Sequence, residues 1–285
     1  MRRKKMYTIL IAVLLLVVLI RIYIDNEILE ISNIEIKSDK LPDIFDGYKM
    51  VQLSDLHSKN FGNDNQKLID IIDNESPDII VMTGDMVTAN EKSFTIFYNL
   101  VKRLVKKYKV YYIYGNHEGE LSLKLRNEIT AFLMENGVVI LDNDCISIEK
   151  NNEKINLYGL CYTQKYYSYK SGKKHRVTEN YIKDKLGAID KNNYNILLTH
   201  NPLFFDAYSS YGFDLILSGH IHGGLVRLPF IGGILSPERK FFPQYSAGVY
   251  QNGDSKLVVS RGLSRGTKGF RFLNRPDIVS ITLKK

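Results

Sequence analysis

Beyond Gly47 the chain alternates short apolar runs with stretches of helical periodicity, and this alternation constrains the fold more than any other feature. The apolar runs predict strands at Met50–Leu53, Ile79–Met82, Val110–Tyr114, Val138–Leu141, Ile155–Leu160, Ile196–Leu198, Leu215–Leu217, Leu257–Val259 and Ile278–Thr282, with an earlier one near Ile34 to Ile36. Helical spacing predicts Gln66–Asn74, Ser93–Lys107, Leu121–Glu135, Glu179–Asp190 and Leu203–Tyr211. Strands alternating with helices imply an α/β architecture. In open α/β sheets, ligands bind beyond the carboxyl ends of strands, where neighbouring loops converge. Asp55, Asp85, Asn116, His200 and His220 each follow a predicted strand, so one cluster is expected from segments far apart in the chain.

The residue types at those positions narrow the chemistry. Five of the six histidines sit in Asp55-Leu56-His57, Gly115-Asn116-His117-Glu118, Thr199-His200-Asn201 and Gly219-His220-Ile221-His222, and Gly84-Asp85 adds a carboxylate. Hard oxygen donors mixed with imidazoles suit a divalent transition metal such as Mn, Fe or Zn. Seven donors (Asp55, His57, Asp85, Asn116, His200, His220, His222) exceed what one ion needs, so two ions sharing a carboxylate are expected. Paired ions are the standard device for in-line displacement at phosphorus. Taken singly, Asp55, His57 and Asp85 could cap helices, and His200 could belong to the Asn201-Pro202 turn. Glu118 reads as a supporting or helix-start residue, and His175 as solvated.

The net charge of +8 belongs mostly to the amino terminus, where Arg2, Arg3, Lys4, Lys5 and Arg21 stand and residues 1–24 hold no acid. The small remainder does not argue for a nucleic-acid partner. Residues 6–24 are apolar apart from Arg21, and a helix needs roughly 20 such residues to cross a bilayer. Basic residues before the span and Asp25, Glu27 and Glu30 after it orient the amino terminus to the cytoplasm and the remainder to the outside. No small-x-small pattern follows, so an uncleaved anchor is expected. The chain then divides into a basic tip and transmembrane helix (1–24), a connector with the first strand (25–47) and the main domain (48–285).

Two stretches lack a regular pattern. Residues 162–177 interleave Tyr162, Tyr166, Tyr167 and Tyr169 with Lys165, Lys170, Lys173 and Lys174, a mixture that can grip nucleic acid or lipid headgroups, with a solvated loop the simpler expectation. Residues 223–248 are rich in glycine and proline and carry Leu228, Phe230, Ile231, Phe241 and Phe242; a lid, a binding surface or a membrane contact are open to such a loop, with packing over the sheet the simplest expectation. Cys145 and Cys161 could pair or stay free.

Taken in order, the ligand motifs resemble the signature of the calcineurin-like metallophosphoesterase superfamily. Val51-Gln52-Leu53-Ser54-Asp55-Leu56-His57, Arg227-Leu228-Pro229-Phe230, Phe242-Pro243-Gln244-Tyr245-Ser246-Ala247-Gly248 and Val259-Ser260-Arg261-Gly262-Leu263 are similar to its bacterial membrane-anchored, YkuE/YaeI-like phosphohydrolase branch. The likeness runs over nearly everything after residue 40. It implies a four-layer αββα sandwich of two mixed sheets with a binuclear site at one edge. It implies one ion held by Asp55, His57 and His222, another by Asn116, His200 and His220, and Asp85 bridging both. The implied nucleophile is a hydroxide between the cations, and His117 is the implied catalytic residue facing the substrate, a role typically worth about 10²–10⁴-fold. Relatives commonly carry an acid three residues after the bridging aspartate to orient that histidine. Here Thr88 stands there, which implies that His117 serves more as a hydrogen-bond donor than as a proton source.

The segment Asp85-Met86-Val87-Thr88-Ala89-Asn90 lacks the arginine that phosphoprotein phosphatases of this superfamily use, which favours diesters or pyrophosphates. Arg261 and Arg265 could reach the site or simply serve the surface. Tethering favours lipid-linked or envelope substrates. A broad phosphomonoesterase is the alternative, and a non-catalytic metal-binding scaffold or a nuclease fits less well. A monomer is expected.

Overall fold

Apolar side chains on both faces of the central strands require cover on both sides, and a facing sheet on one side with helices on the other supplies it. The computed structural model describes residues 2–167, 175–236, 240–266 and 270–285. In chain order the strands are β1 (Glu30–Lys37), β2 (Lys49–Leu53), β3 (Ile79–Met82), β4 (Lys109–Tyr112), β5 (Val139–Ile140), β6 (Asp144–Lys150), β7 (Glu153–Leu160), β8 (Tyr194–Thr199), β9 (Leu215–Ser218), β10 (Arg227–Leu228), β11 (Gly232–Gly233), β12 (Gly248–Asn252), β13 (Ser255–Val259) and β14 (Asp277–Lys284). The helices are α1 (Arg2–Glu27), α2 (Gln66–Glu75), α3 (Thr95–Leu104), α4 (Asn116–Glu120), α5 (Leu123–Glu135), α6 (Glu179–Leu186) and α7 (Phe205–Tyr211).

The first sheet runs β1-β14-β2-β3-β4-β5 and the second β12-β13-β9-β8-β7-β6. Both are mixed: β14 opposes β2 in one, while β12 opposes β13 and β6 opposes β7 in the other. Side-chain alternation assigns the layers. Ile196, Leu198, Leu215, Leu217 and Val258 join the larger core with the first sheet, whereas Leu197, Ile216, Leu257 and Val259 pack outward with Ile182 of α6 and Phe205 and Tyr208 of α7. Leu68 and Ile72 of α2, Phe97 and Leu100 of α3, and Ile129 and Leu133 of α5 cover the first sheet. The expected αββα sandwich is the fold.

The differences from expectation have local causes. The edge strands β6 and β12 escape the apolar pattern because most of their side chains are exposed or half-buried. Both enter hairpins through two-residue loops, Asn151-Asn152 (φ 47° and 66°) and Gly253-Asp254. The predicted helix to Asp190 stops at Leu186, where Gly187 turns the chain out at φ 70°. The predicted helix 203–211 begins as a 3-10 turn, Pro202–Phe204.

The two irregular stretches behave unlike surface filler. Tyr162 and Tyr167 are buried, while Lys165 and His175 stay exposed. Tyr169, Lys170, Lys173 and Lys174 lie outside the described residues. Leu228, Phe230, Ile231, Phe241 and Phe242 are exposed and do not pack over the sheet. Cys145 and Cys161 are both free thiols. The amino-terminal helix α1 is long and apolar enough to cross a membrane, and none of its apolar window is buried by the protein.

Candidate metal centre

Five strand ends converge on one point. β2, β3 and β4, neighbours in the first sheet, lead into Asp55 and His57, Asp85, and Asn116. β8 and β9, neighbours in the second, lead into His200 and then His220 and His222. Gln52 ties the sheets together there, donating from Nε2 to Thr83 Oγ1 and to the Ser218 carbonyl, both at 2.9 Å.

The side chains form three overlapping groups: Asp55, His57 and His222; His57, Asp85 and His117; and Asp85, His200 and His220. Within each group the donor atoms lie within 4.8 Å of one another. Asp85 is central, since its Oδ2 stands 3.2 Å from His200 Nε2, 3.8 Å from His57 Nε2 and 4.0 Å from His117 Nε2. Asp55 Oδ1 stands 3.3 Å from His222 Nε2 and 3.8 Å from His200 Nε2. The Asn116 side-chain oxygen, on the residue before His117, is buried and accepts no hydrogen bond among the described residues.

The histidines are aimed by what binds their other ring nitrogen. His200 Nδ1 donates to the Thr83 carbonyl at 2.7 Å, and His222 Nδ1 donates to the Ser264 carbonyl at 3.0 Å. Each bond turns Nε2 toward the cluster, the arrangement that metal-bound histidines use. The loops bearing the donors are unusually wound: Asp55, His57, Asp85, His220 and His222 all have left-handed φ, between 45° and 73°. Non-glycine residues in that region cost roughly 1–3 kcal/mol each.

Buried partners hold that geometry. Glu118 is fully buried, and its carboxylate accepts the main-chain N–H groups of Asp85, Met86 and Gly115 at 2.9, 2.8 and 2.8 Å. It braces the Asp85 loop, as the sequence reading of it as a supporting residue expects. Asp55 is fixed by Ser54 Oγ at 2.6 Å and by the His220 N–H at 3.2 and 3.1 Å. The motif glycines are spaces for these carboxylates. A Cβ on Gly115 would stand 2.2 Å from Asp85 Oδ1, and one on Gly219 would stand 1.9 Å from Ser54 Oγ.

Charge makes the donor set incomplete without cations. Asp55 and Asp85 are buried, and among the described residues their only salt-bridge partners are histidines. Burial pushes His57 down to about 3, with His222 and His117 adding to it against Asp85 and Asp55, so its ring is neutral. His200 goes the other way: burial opposes its charge, but Asp85 and Asp55 raise it to about 10. Two buried carboxylates, several Nε2 atoms and an orphan amide oxygen fit divalent cations.

His117 is more exposed than the donors around it, with Nε2 directed at Asp85 and its ring edge-on to His57. Its Nδ1 accepts the Ala89 N–H at 3.2 Å, which places the hydrogen of the neutral ring on Nε2. Thr88 Oγ1 lies instead 3.4 Å from His57 Nδ1. Arg261 is engaged elsewhere, by Asp277 at 3.0 Å and Glu30 at 3.3 Å.

The calcineurin-like phosphoesterase family model matches residues 48–224, which contain all seven donors and His117. The chain belongs to this family. The metallophosphoesterase YkuE of Bacillus subtilis is 31% identical over 269 residues, 92% of this chain and 88% of that one. A metallophosphoesterase of Aquifex aeolicus is 28% identical over 92% of this chain and 94% of its own. The phosphodiesterase YaeI of Escherichia coli is 25% identical over 239 residues, 83% of this chain and 82% of that one. The family makes this chain a metal-dependent phosphoesterase that uses two divalent metals.

Several residues at the site escape a reading by motif. Tyr167 packs its ring 5.1 Å from that of His220, Gln164 donates to the Asn116 carbonyl, and Ser264 holds His222. The tyrosine-rich composition of residues 162–167 was the only signal for the first two; Ser264 offered none.

Proposed function

We propose that this calcineurin-like phosphoesterase is a membrane-anchored hydrolase of phosphodiester or pyrophosphate bonds. Asp55, His57 and His222 would hold one cation, Asn116, His200 and His220 the other, and Asp85 both. The observation that carries this reading is Asp85 Oδ2, approached by imidazole nitrogens from the loops after β2, β4 and β8. When bound, such cations lower the pKa of coordinated water and neutralise charge on phosphoryl oxygens. The chain's own residues do the rest. Glu118 and Ser54 fix the carboxylates, and His117 offers an Nε2–H to a phosphoryl or leaving-group oxygen.

Preference for diesters or pyrophosphates rests on the lack of a cation in residues 85–90 and on the engagement of Arg261 by carboxylates, which leave little to grip a dianionic monoester. The named activity of YaeI points the same way. The exposed apolar surface of α1 and the basic residues before it support anchoring, with the metal centre outside the cytoplasm and lipid-linked or envelope substrates within reach.

The test is turnover by the full chain, purified in detergent and loaded with Mn²⁺, Fe²⁺ or Zn²⁺, of bis-p-nitrophenyl phosphate against p-nitrophenyl phosphate. The diester should be preferred, and Asp85→Asn should abolish turnover of both. Retained activity in that variant would refute the shared-carboxylate assignment, and a monoester preference would refute the substrate class.

A further inference from the structure

The residues that follow β9 build a small ribbon apart from the two main sheets. β10 pairs with β11, Val226 bridges to Phe272, and Leu235 bridges to Phe241. Its apolar side chains point to solvent: Phe230 is fully exposed, and Ile231, Phe241 and Phe242 are 59%, 71% and 64% exposed. Phe270, at the start of the segment that pairs with the ribbon, is also exposed. A run of large apolar groups this exposed marks an interaction surface.

The position of the ribbon selects the partner. Arg21 of α1 lines one cleft with Leu228, Pro229, Phe230 and Leu273. The foot of α1 is locked to the same segment: Asp25 Oδ2 accepts the Leu273 N–H at 2.6 Å, and Asn26 exchanges two hydrogen bonds with the Arg271 main chain at 3.2 Å each. Counting from Met6 at 1.5 Å per residue, an apolar stretch about 30 Å thick ends near Arg21 to Asp25. Arg21 and Asp25 pair there at 2.7 Å, as a snorkelling cation at a boundary would. Phe230 therefore stands beside the point where α1 leaves the hydrocarbon. Cations surround that level: Lys59 pairs with Glu27 at 3.2 Å, and Arg275 donates to the Leu29 carbonyl at 2.6 Å.

We propose that the ribbon tip, Phe230 and Ile231 with Phe241 and Phe242, inserts into the outer lipid leaflet beside α1. The domain is then held at two points instead of one. Ser264, which binds His222, and Arg271, which is fastened to the foot of α1, are seven residues apart, so the metal centre stays close to the headgroups. This inference rests on the anchoring reading, and the test separates the two.

The chain has no tryptophan, so single reporters can be placed in the full-length protein. Leu15→Trp, Phe230→Trp, Phe241→Trp and Leu123→Trp would be reconstituted in phosphatidylcholine–phosphatidylglycerol vesicles with or without brominated acyl chains. Leu15 probes the span, and Leu123 is an exposed position on α5. Emission from Phe230→Trp and Phe241→Trp should be blue-shifted and quenched by bromine at least about twofold more than Leu123→Trp. Quenching of Leu15→Trp without quenching of the two ribbon reporters would overturn insertion while keeping the anchor. No quenching of Leu15→Trp would remove the anchor and this inference with it. All four sites are exposed, and matching thermal melts verify folding.

Discussion

Arg271 is fully buried, yet among the described residues no carboxylate pairs with it; its guanidinium donates to the carbonyls of Arg261, Gly262, Ser264, Asn274 and Arg275. Burial lowers its pKa to about 9, with Asp55 resisting, and it remains charged at neutral pH. The Ser264 carbonyl that it grips is the one that accepts His222 Nδ1–H. Arg271 is thus placed to position His222, one of the proposed metal ligands, through one shared oxygen. Arg271→Met should weaken Mn²⁺ binding by about 10–100-fold, the usual effect of losing such an outer partner. Titration calorimetry on the folded variant checks this, and unchanged affinity would assign Arg271 to loop stability alone. At the same scale, Thr88 lies on His57 and the Ala89 N–H on His117, so the chain orients His117 by main chain.

The ligand loops after β2, β3 and β9 place their donors on left-handed residues, and the glycines admit the carboxylates. Gly219→Ala would drive a Cβ to 1.9 Å from Ser54 Oγ and 2.4 Å from Asp55 Oδ2. Overpacking of this kind costs about 1–3 kcal/mol, and here it also pushes a donor off its position. Thermal melting should show that loss together with weaker Mn²⁺ binding; a variant as stable and as tightly bound as wild type would mean that the loop relaxes freely. At this scale the sequence was most readable. β2, β3, β8 and β9 are buried runs, so their ends, and the donors after them, stand out. β6 and β12 did not, because an edge strand half in water carries no apolar signature. The left-handed φ values of Asp55, His57, Asp85, His220 and His222 were also illegible, since strain is set by the fold and not by residue type. Tyr167, Ser264 and Arg271 lie outside every motif and reach the site only through tertiary packing.

At the scale of the whole molecule, the proposed metal centre lies at the seam of the sandwich. The proposed donors come from the first sheet (Asp55, His57, Asp85, Asn116) and the second (His200, His220, His222), and the unfolded chain has no such site. Cations that bind only the folded state stabilise it by mass action, about 2.7 kcal/mol at one hundred times Kd. For a domain of this size that raises Tm by roughly 5–10 °C. Chelation should therefore lower Tm by that amount, and Mn²⁺ should restore it. The buried carboxylates add a second expectation. Without cations, Asp55 and Asp85 face each other across histidines of which His200 alone is pushed strongly toward its charged form. Asp85→Asn removes the carboxylate that His200 pairs with at 3.2 Å, so the chelated variant should melt below the chelated wild type, while its Mn²⁺-dependent rise collapses. Differential scanning calorimetry of both proteins, with and without Mn²⁺, reads the two effects separately. A full Mn²⁺ rise in Asp85→Asn would show that the ions are held without the carboxylate on which the two half-sites converge.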